Sequence, residues 1–160
     1  MNRINIICVG VHDMKRSLAF YKAIGFQTFE KGDQPPIVFF NNQGSKLELF
    51  SINDLAKDIN EVNPPALSND SFYGITLAVN SKSEAEVDEM FQLVIQAGGK
   101  MIKEPKHADW GGYSGYFTDP DGYYWELAFG PDWEFDDNEM LVIKYAFFVQ
   151  SNFNLAKMTF

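Results

Sequence analysis

The stretch YSGYFTDPDGYYWELAF, residues 113–129, decides how the sequence is interpreted. Residues 113–118 and 123–129 are short runs rich in aromatic and apolar residues, which predicts two β-strands. The connection Asp119-Pro120-Asp121-Gly122 has proline at the second position and glycine at the fourth, as a type I turn prefers. The stretch therefore predicts a β-hairpin.

The end of this hairpin has a counterpart earlier in the chain. Trp125-Glu126-Leu127 matches Leu47-Glu48-Leu49, and the two triplets close similar units that are about 68 residues apart in our sequence alignment. Side chains alternate across a strand, so Glu48 and Glu126 should lie on one face and their apolar neighbours on the other. We expect the apolar face to pack under a helix and the opposite face to line an enclosed space.

Each unit begins with a strand and a helix before its hairpin. In the first unit, Asp13 is a good N-cap and Gly25 is placed to end the helix. In the second unit, Ser83 and Glu86 have the spacing of a capping box. The predicted strands are Ile4–Val11, Ile37–Asn41, Ser45–Phe50, Tyr73–Val79, Tyr113–Thr118 and Tyr123–Phe129, with a further short strand at Gln27–Lys31.

Four segments in this order resemble the vicinal-oxygen-chelate superfamily, which includes glyoxalases, bleomycin-resistance proteins and extradiol dioxygenases. They are Val11–Tyr21, Gly25-Phe26, Trp110–Gly122 and Trp125-Glu126. The resemblance implies an α+β fold in which two βαβββ modules in one chain form a cup. The domain would span residues 1–131, with modules at about 1–53 and 71–131, a linker at 54–70 and a C-terminal extension at 132–160.

The resemblance also implies where a metal would bind. Metalloenzymes of this superfamily hold a divalent ion with one residue from the first strand and one from the last strand of each module. These positions align with Ile6, Glu48, Gly74 and Glu126. Isoleucine and glycine side chains have no donor atom, so we expect no metal cofactor, with Glu48 and Glu126 as remnants of the site.

The resemblance and the composition leave two functions open. The first is metal-independent binding of a small apolar or aromatic molecule in an aromatic-lined cup, because the chain has 15 Phe, 7 Tyr and 3 Trp. The second is a metal-dependent lactoylglutathione-lyase-like lyase or dioxygenase, with Glu48 and Glu126 as catalytic carboxylates and divalent-metal ligands. The candidate ligand-binding residues are Ile6, Cys8, Glu48, Phe50, Gly74, Trp110, Tyr113, Tyr124 and Glu126.

The composition indicates which binding partners and which cellular location to expect. The net charge of −9 disfavours binding to nucleic acids and to anionic membranes. The single cysteine, Cys8, cannot form an intrachain disulfide, and the sequence shows no signal peptide or membrane span, so we expect a cytoplasmic protein. The segment 140–148 is too apolar to remain exposed, so it should either cover the edge of a sheet or bind a second subunit, and we expect a homodimer.

Overall fold

A computed structural model describes residues 3–67 and 72–143 of the chain. The described part contains two β-sheets and three α-helices, in keeping with the predicted α+β class. In chain order the elements are β1 (Ile6–Val11), α1 (Met14–Ala23), β2 (Ile37–Phe39), β3 (Lys46–Ser51), α2 (Ile52–Ile59), β4 (Thr76–Ser81), α3 (Glu84–Gln96), β5 (Lys100–His107), β6 (Tyr113–Thr118) and β7 (Tyr124–Phe129).

The strand order shows the predicted repeat. The first sheet has the order β1-β3-β2 and the second β4-β7-β6-β5. In each sheet the first strand of the module runs parallel to its last strand, and the hairpin strands pair antiparallel. Each module is therefore a strand, a helix and a returning hairpin.

The modules differ in one outer strand. The predicted strand at 27–31 does not form, although the backbone N–H of Asn41 donates to the carbonyl of Gln27 at 2.7 Å. The second module has a full outer strand, β5, which the sequence analysis did not assign. Its pairing with β6 shifts register between Lys103 and Lys106, around Pro105. Proline lacks a backbone donor and is tolerated at such an edge.

The predicted helix ends are confirmed. The Asp13 carboxylate accepts the backbone N–H of Arg16 at 3.0 Å and begins α1. At α3, the Ser83 hydroxyl accepts from the N–H of Glu86, while the Glu86 carboxylate accepts from the N–H of Lys82. The first bond is the N-cap that the sequence predicted, whereas Glu86 reaches one residue further back than in a standard capping box, to the residue before the N-cap. Gly25 follows α1 with a φ of 102°, a left-handed conformation that favours glycine.

Helix α2 lies at the start of the region expected to be a linker. It begins directly after β3, and its apolar residues Ile52, Leu55, Ala56 and Ile59 recur at helical spacing. The helix packs on β1, where a Cβ added at Gly10 would come within 2.9 Å of the Cγ1 of Ile52. Glycine at this position therefore allows α2 to approach the strand closely.

One hydrophobic core joins the two modules. It contains residues from the inward faces of both sheets and from α1 and α3. Tyr21 of α1 is fully buried, and its ring lies 6.1 Å from that of Trp125 in β7. Leu47, Leu49, Trp125 and Leu127 are all buried, as the alternation of β3 and β7 predicted. The opposite faces, with Glu48 and Glu126, are turned away from this core.

The described part of the C-terminal extension folds back onto the modules. Phe135 and Leu141 form a β-bridge, and Glu139 forms an ion pair with Lys82. The Met140 side chain lies against Gly44 in the β2–β3 turn, so the extension contacts both modules. Residues 144–148 of the apolar segment 140–148 lie outside the described residues. None of the described helices has the length and apolar character needed to cross a membrane.

Candidate functional site

We call the face of the first sheet that is turned away from the core the first open face. The strand register places Cys8, Glu48 and Phe39 side by side on three neighbouring strands, with Ile6 and Phe50 on the same side. Ile6 and Phe39 keep 47% and 50% of their surface exposed. This face therefore combines exposed apolar side chains with one half-buried carboxylate.

The thiol of Cys8 and the carboxylate of Glu48 form a pair at the centre of this face. Burial, together with the charge and hydrogen bond of Glu48, raises the pKa of Cys8 to about 11. The thiol is therefore protonated at neutral pH. The thiolate is the nucleophilic form of cysteine, so Cys8 is here a polar wall residue and not an activated nucleophile.

Glu126 has the corresponding position on the second sheet. It pairs across the strands with Tyr116 and Ala78. Burial and the adjacent Glu126 carboxylate raise the pKa of the Tyr116 phenol. The Lys103 ammonium lies 5.4 Å from the centre of the Tyr116 ring. Glu126 thus has its own neighbours, distinct from those of Glu48.

The strand pairing gives Ile6 a different counterpart in the second module from the one that the sequence alignment gave. Ile6 begins β1 and lies seven residues before its N-cap Asp13, and Thr76 begins β4 seven residues before Ser83. Cys8 pairs with Glu48 as Ala78 pairs with Glu126. Gly74 precedes β4 and has a φ of 73°. The position assigned to Gly74 by sequence therefore belongs to Thr76, two residues later.

These positions do not fit the family's metal. With Thr76 in place of Gly74, the aligned set is Ile6, Glu48, Thr76 and Glu126. Isoleucine cannot coordinate an ion, and a neutral threonine hydroxyl is a poor ligand beside the imidazole and carboxylate groups that transition metals prefer. Among the described residues, no group of three His, Cys, Asp or Glu side chains is placed to hold a metal.

A cavity of about 390 Å³ lies between the edge strands β1 and β4 and is covered by α2. Such a volume is within the range of small-molecule sites. Cys8 and Tyr124, two of the predicted ligand residues, are part of its wall. The apolar part of the wall consists mainly of Ile7, Val9, Ile52, Leu55, Leu67, Phe72, Ile75 and Leu77.

Aromatic rings form one corner of this cavity. The rings of Phe72 and Tyr124 meet edge to face with centres 5.3 Å apart. Tyr123 is fixed beside them, because its hydroxyl donates to the carbonyl of Gly10 at 2.9 Å and accepts from the N–H of Gly10 at 3.1 Å. The sequence analysis did not select Phe72 or Tyr123. Their only signal was the general surplus of aromatic residues.

Other predicted ligand residues lie elsewhere. Trp110 stacks on Trp133, with ring centres 5.8 Å apart. Tyr113 faces α3, where its hydroxyl donates to the Asp88 carboxylate at 2.9 Å. Phe50 and Gly74 are not part of the cavity wall either. The structure thus brings Cys8 and Tyr124 together at the cavity and leaves Trp110 and Tyr113 outside it.

The hairpin turn at 119–122 joins the two modules. The Asp121 side chain is fully buried and accepts from the His12 N–H at 2.9 Å, from the Arg16 guanidinium at 3.0 Å and from the Ser17 hydroxyl. Asp121 therefore occupies the N-terminus of α1, where a negative charge is stabilised by the unpaired N–H groups. The sequence predicted the turn but gave no sign of this contact between modules.

A carboxylate from the same turn, Asp119, is buried beneath the junction. It accepts from the Tyr21 hydroxyl at 2.5 Å and from the N–H groups of Asp121 and Tyr123 at 3.0 and 2.9 Å. Burial raises the pKa of Asp119 to about 6, against the effect of these donors. The junction is therefore sensitive to pH, and it is separate from the open faces.

Comparison with known proteins agrees with this fold. The family model of the Glyoxalase/Bleomycin resistance protein/Dioxygenase superfamily matches residues 3–127. The chain belongs to this superfamily. It is also 30% identical over 128 residues to the metallothiol transferase FosB of Lysinibacillus sphaericus (strain C3-41), which covers 79% of this chain and 82% of that protein.

Solved structures of superfamily members have the same fold. A glyoxalase-related enzyme from Fulvimarina pelagi aligns with a TM-score of 0.78 and 26% identity, over 89% of this chain and 99% of that one. A lactoylglutathione lyase from Agrobacterium tumefaciens aligns with a TM-score of 0.62 and 22% identity, over 85% of this chain and 99% of that one. The fold and the family identified from the sequence are thereby confirmed.

Proposed function

We propose that this superfamily member binds a small apolar or aromatic molecule without a metal, in the cavity between β1, β4 and α2. The observation that carries the proposal is the cavity itself, which combines a volume of about 390 Å³ with a largely apolar wall and an aromatic corner. Apolar pockets with a few polar groups are the usual form of small-molecule sites. The residues of this wall that carry polar side-chain groups are Cys8, His12, Tyr73, Asp121, Tyr123 and Tyr124.

The alternative is a metal-dependent lyase, dioxygenase or transferase. The name of the Lysinibacillus relative, a metallothiol transferase, favours metal chemistry in that protein. In this chain Ile6 and Thr76 supply no strong ligand, and the cross-strand neighbours of Glu48 and Glu126 are Cys8 and Tyr116. We therefore favour ligand binding in a cytoplasmic protein whose partners are a small molecule and a second copy of the chain, with no nucleic acid or membrane.

A substitution that fills the cavity is expected to weaken binding. Leu55→Trp places an indole in the wall, where it occupies space that the ligand needs, so the affinity is expected to fall by about tenfold, or about 1.4 kcal/mol. Ile59→Trp is the matched control, since Ile59 lies one turn further along α2, is exposed and is not part of the wall. Displacement of the neutral dye N-phenyl-1-naphthylamine by naphthalene and indole measures both variants.

The same titration can reject the proposal. If naphthalene and indole do not displace the dye from the wild-type protein, or if Leu55→Trp binds them as well as Ile59→Trp does, the cavity is not the ligand site. Slower alkylation of Cys8 in the presence of ligand provides an independent check, because Cys8 is part of the wall and is a free thiol.

The proposed homodimer would use the first open face, where Ile6 and Phe39 are about half exposed. Phe39→Glu places a charge on the exposed apolar part of this face and is expected to shift the protein from dimer to monomer, because an unpaired charge is costly to bury. Phe29→Glu is the control, since Phe29 is exposed and lies outside the strands. Sedimentation velocity measures the outcome, and a monomeric wild-type protein would contradict the proposal.

A further inference from the structure

A second cavity adjoins the proposed ligand site. It has a volume of about 570 Å³ and lies on the other side of the gap between β1 and β4. Ile7 of β1 and Leu77 of β4 belong to the walls of both cavities. In the described sheets, β1 is bonded only to β3 and β4 only to β7, so no strand ladder closes the gap between them. Side chains, and not a continuous sheet, separate the two spaces.

We propose that the two cavities form one apolar channel with Ile7 and Leu77 at its narrowest point, and that its ligand is a neutral amphiphile with a single unbranched alkyl chain. This inference rests on the proposed function and specifies its ligand class. A compact aromatic compound fills one cavity, whereas a flexible chain can extend past the narrow point into the other. Ile7 and Leu77 are only partly buried, so their side chains have room to change rotamer.

The second cavity continues the apolar surface of the first. Its inner wall contains Phe26, Leu47, Val79 and Trp125, which belong to the core or pack against it. Met140, Leu141 and Ile143 of the C-terminal extension close its outer side. An alkyl chain placed here would lie against this apolar wall, and each methylene that is removed from water in this way strengthens binding.

The charges along the channel favour an uncharged head group. No lysine or arginine is part of either wall, and at the cavity next to α2 both Asp121 oxygens are already bonded within the protein. At the outer end the wall includes Gln43 and Asn80, whose side-chain amides make no hydrogen bond within the described residues, beside the Glu139 carboxylate. An alcohol or amide can bond to these amide groups. The walls offer no lysine or arginine to a carboxylate, and the nearby Lys82 ammonium is already paired with Glu139.

The test is a chain-length series on the intact protein. Normal alcohols from hexanol to tetradecanol displace N-phenyl-1-naphthylamine, and the affinity is expected to rise about fourfold with each added methylene through the whole series. In Leu77→Trp the rise is expected to stop at an intermediate length, because the indole blocks the narrow point. Ile95→Trp, on the exposed side of α3 and outside both walls, is the control and should follow the wild type.

Two comparisons support these variants. Ile7→Ala widens the narrow point, so the ratio of the tetradecanol affinity to the hexanol affinity is expected to be larger in this variant than in the wild type. This comparison keeps the test decisive if Leu77→Trp does not fold. Tetradecanoate is expected to bind at least about tenfold more weakly than tetradecanol, because its carboxylate would lose water without gaining a cation: Lys82 is already paired with Glu139, and no lysine or arginine belongs to either wall.

Several results would overturn the channel. In the first, the affinity levels off at the same chain length in the wild type and in Leu77→Trp. In the second, the affinity rises through the whole alcohol series in both proteins. In the third, tetradecanoate and tetradecanol bind equally well. In the first case naphthalene and short alcohols would still bind, so the proposed function would stand without the channel. Failure of every apolar compound to displace the dye would instead remove the proposed function and the channel together.

Discussion

The stabilising effect of Asp119 relative to asparagine is expected to decrease as the pH rises. Burial raises the pKa of Asp119 to about 6 in the folded protein, above its ordinary value of 3.8. The folded state therefore holds the proton more tightly than the unfolded chain does, and protonation favours folding. The contribution is fully present below about pH 3.8, decreases between about pH 3.8 and pH 6, and is lost above that range.

The expected magnitude follows from the shift. A pKa shift of this size changes the free energy of unfolding by about 3 kcal/mol over the full pH range. Roughly half of that change falls between about pH 5 and pH 7.5. This upper part of the range is the useful one, because the isoelectric point of about 4.6 makes the protein prone to precipitate at lower pH. The measurement is urea unfolding of the wild type and Asp119→Asn at several pH values, compared as a difference.

Asp119→Asn is a suitable reference because it retains the shape of the junction. The amide oxygen can accept the N–H groups of Asp121 and Tyr123, as the carboxylate does. The Tyr21 hydroxyl and the Asp121 carboxylate, the other ionisable groups beside it, are present in both proteins. A difference that stays constant across the pH range would mean that the three hydrogen bonds keep Asp119 ionised and outweigh its burial.

Local sequence signals predicted much of the fold. The hairpin at 113–129 has its own turn chemistry, and the caps at Asp13 and Ser83 depend only on neighbouring residues. The repeated Leu-Glu-Leu and Trp-Glu-Leu triplets gave the correct inward and outward faces. These features are encoded within a few residues of one another, which is why the family was evident from the sequence.

Elements with weak local signals were missed. Helix α2 has an apolar stripe, but the polar residues and paired prolines that follow it suggested a linker. Strand β5 is rich in lysine and contains Pro105, and its pairing with β6 is irregular. The outer positions of both elements permit these residues, since an edge strand or a surface helix needs only one apolar side.

The candidate site could be predicted only in part because it depends on how the modules are placed. The cavity exists because two edge strands, β1 and β4, lie apart with α2 over the gap, and no local pattern encodes that spacing. Cys8 and Tyr124 were selected by alternation, whereas Phe72 and Tyr123 reach the cavity through the fold. The two-residue change from Gly74 to Thr76 likewise required the strand register.

That register leads to a prediction about metal binding. The double variant Ile6→His and Thr76→His supplies an imidazole at the first-strand position of each module, beside the carboxylates of Glu48 and Glu126. Imidazole and carboxylate are common zinc ligands, with preferred distances near 2 Å. Zinc sites with a complete set of protein ligands have apparent binding free energies of about 10–16 kcal/mol, so restoring half of the set is expected to tighten zinc binding at least about a hundredfold.

Calorimetric titration with zinc separates the possible results. The wild-type protein is expected to bind zinc weakly, since two carboxylates alone suit harder ions with more ligands. Ile6→His combined with Gly74→His is the matched control, because Gly74 lies outside β4 and its left-handed backbone disfavours histidine. Strong binding by the Thr76 variant but not by this control supports the structural register and would mean that Glu48 and Glu126 can reach one ion. Tight one-to-one binding by the wild type, abolished by Glu126→Ala, would contradict the metal-independent function and favour the metal-dependent alternative.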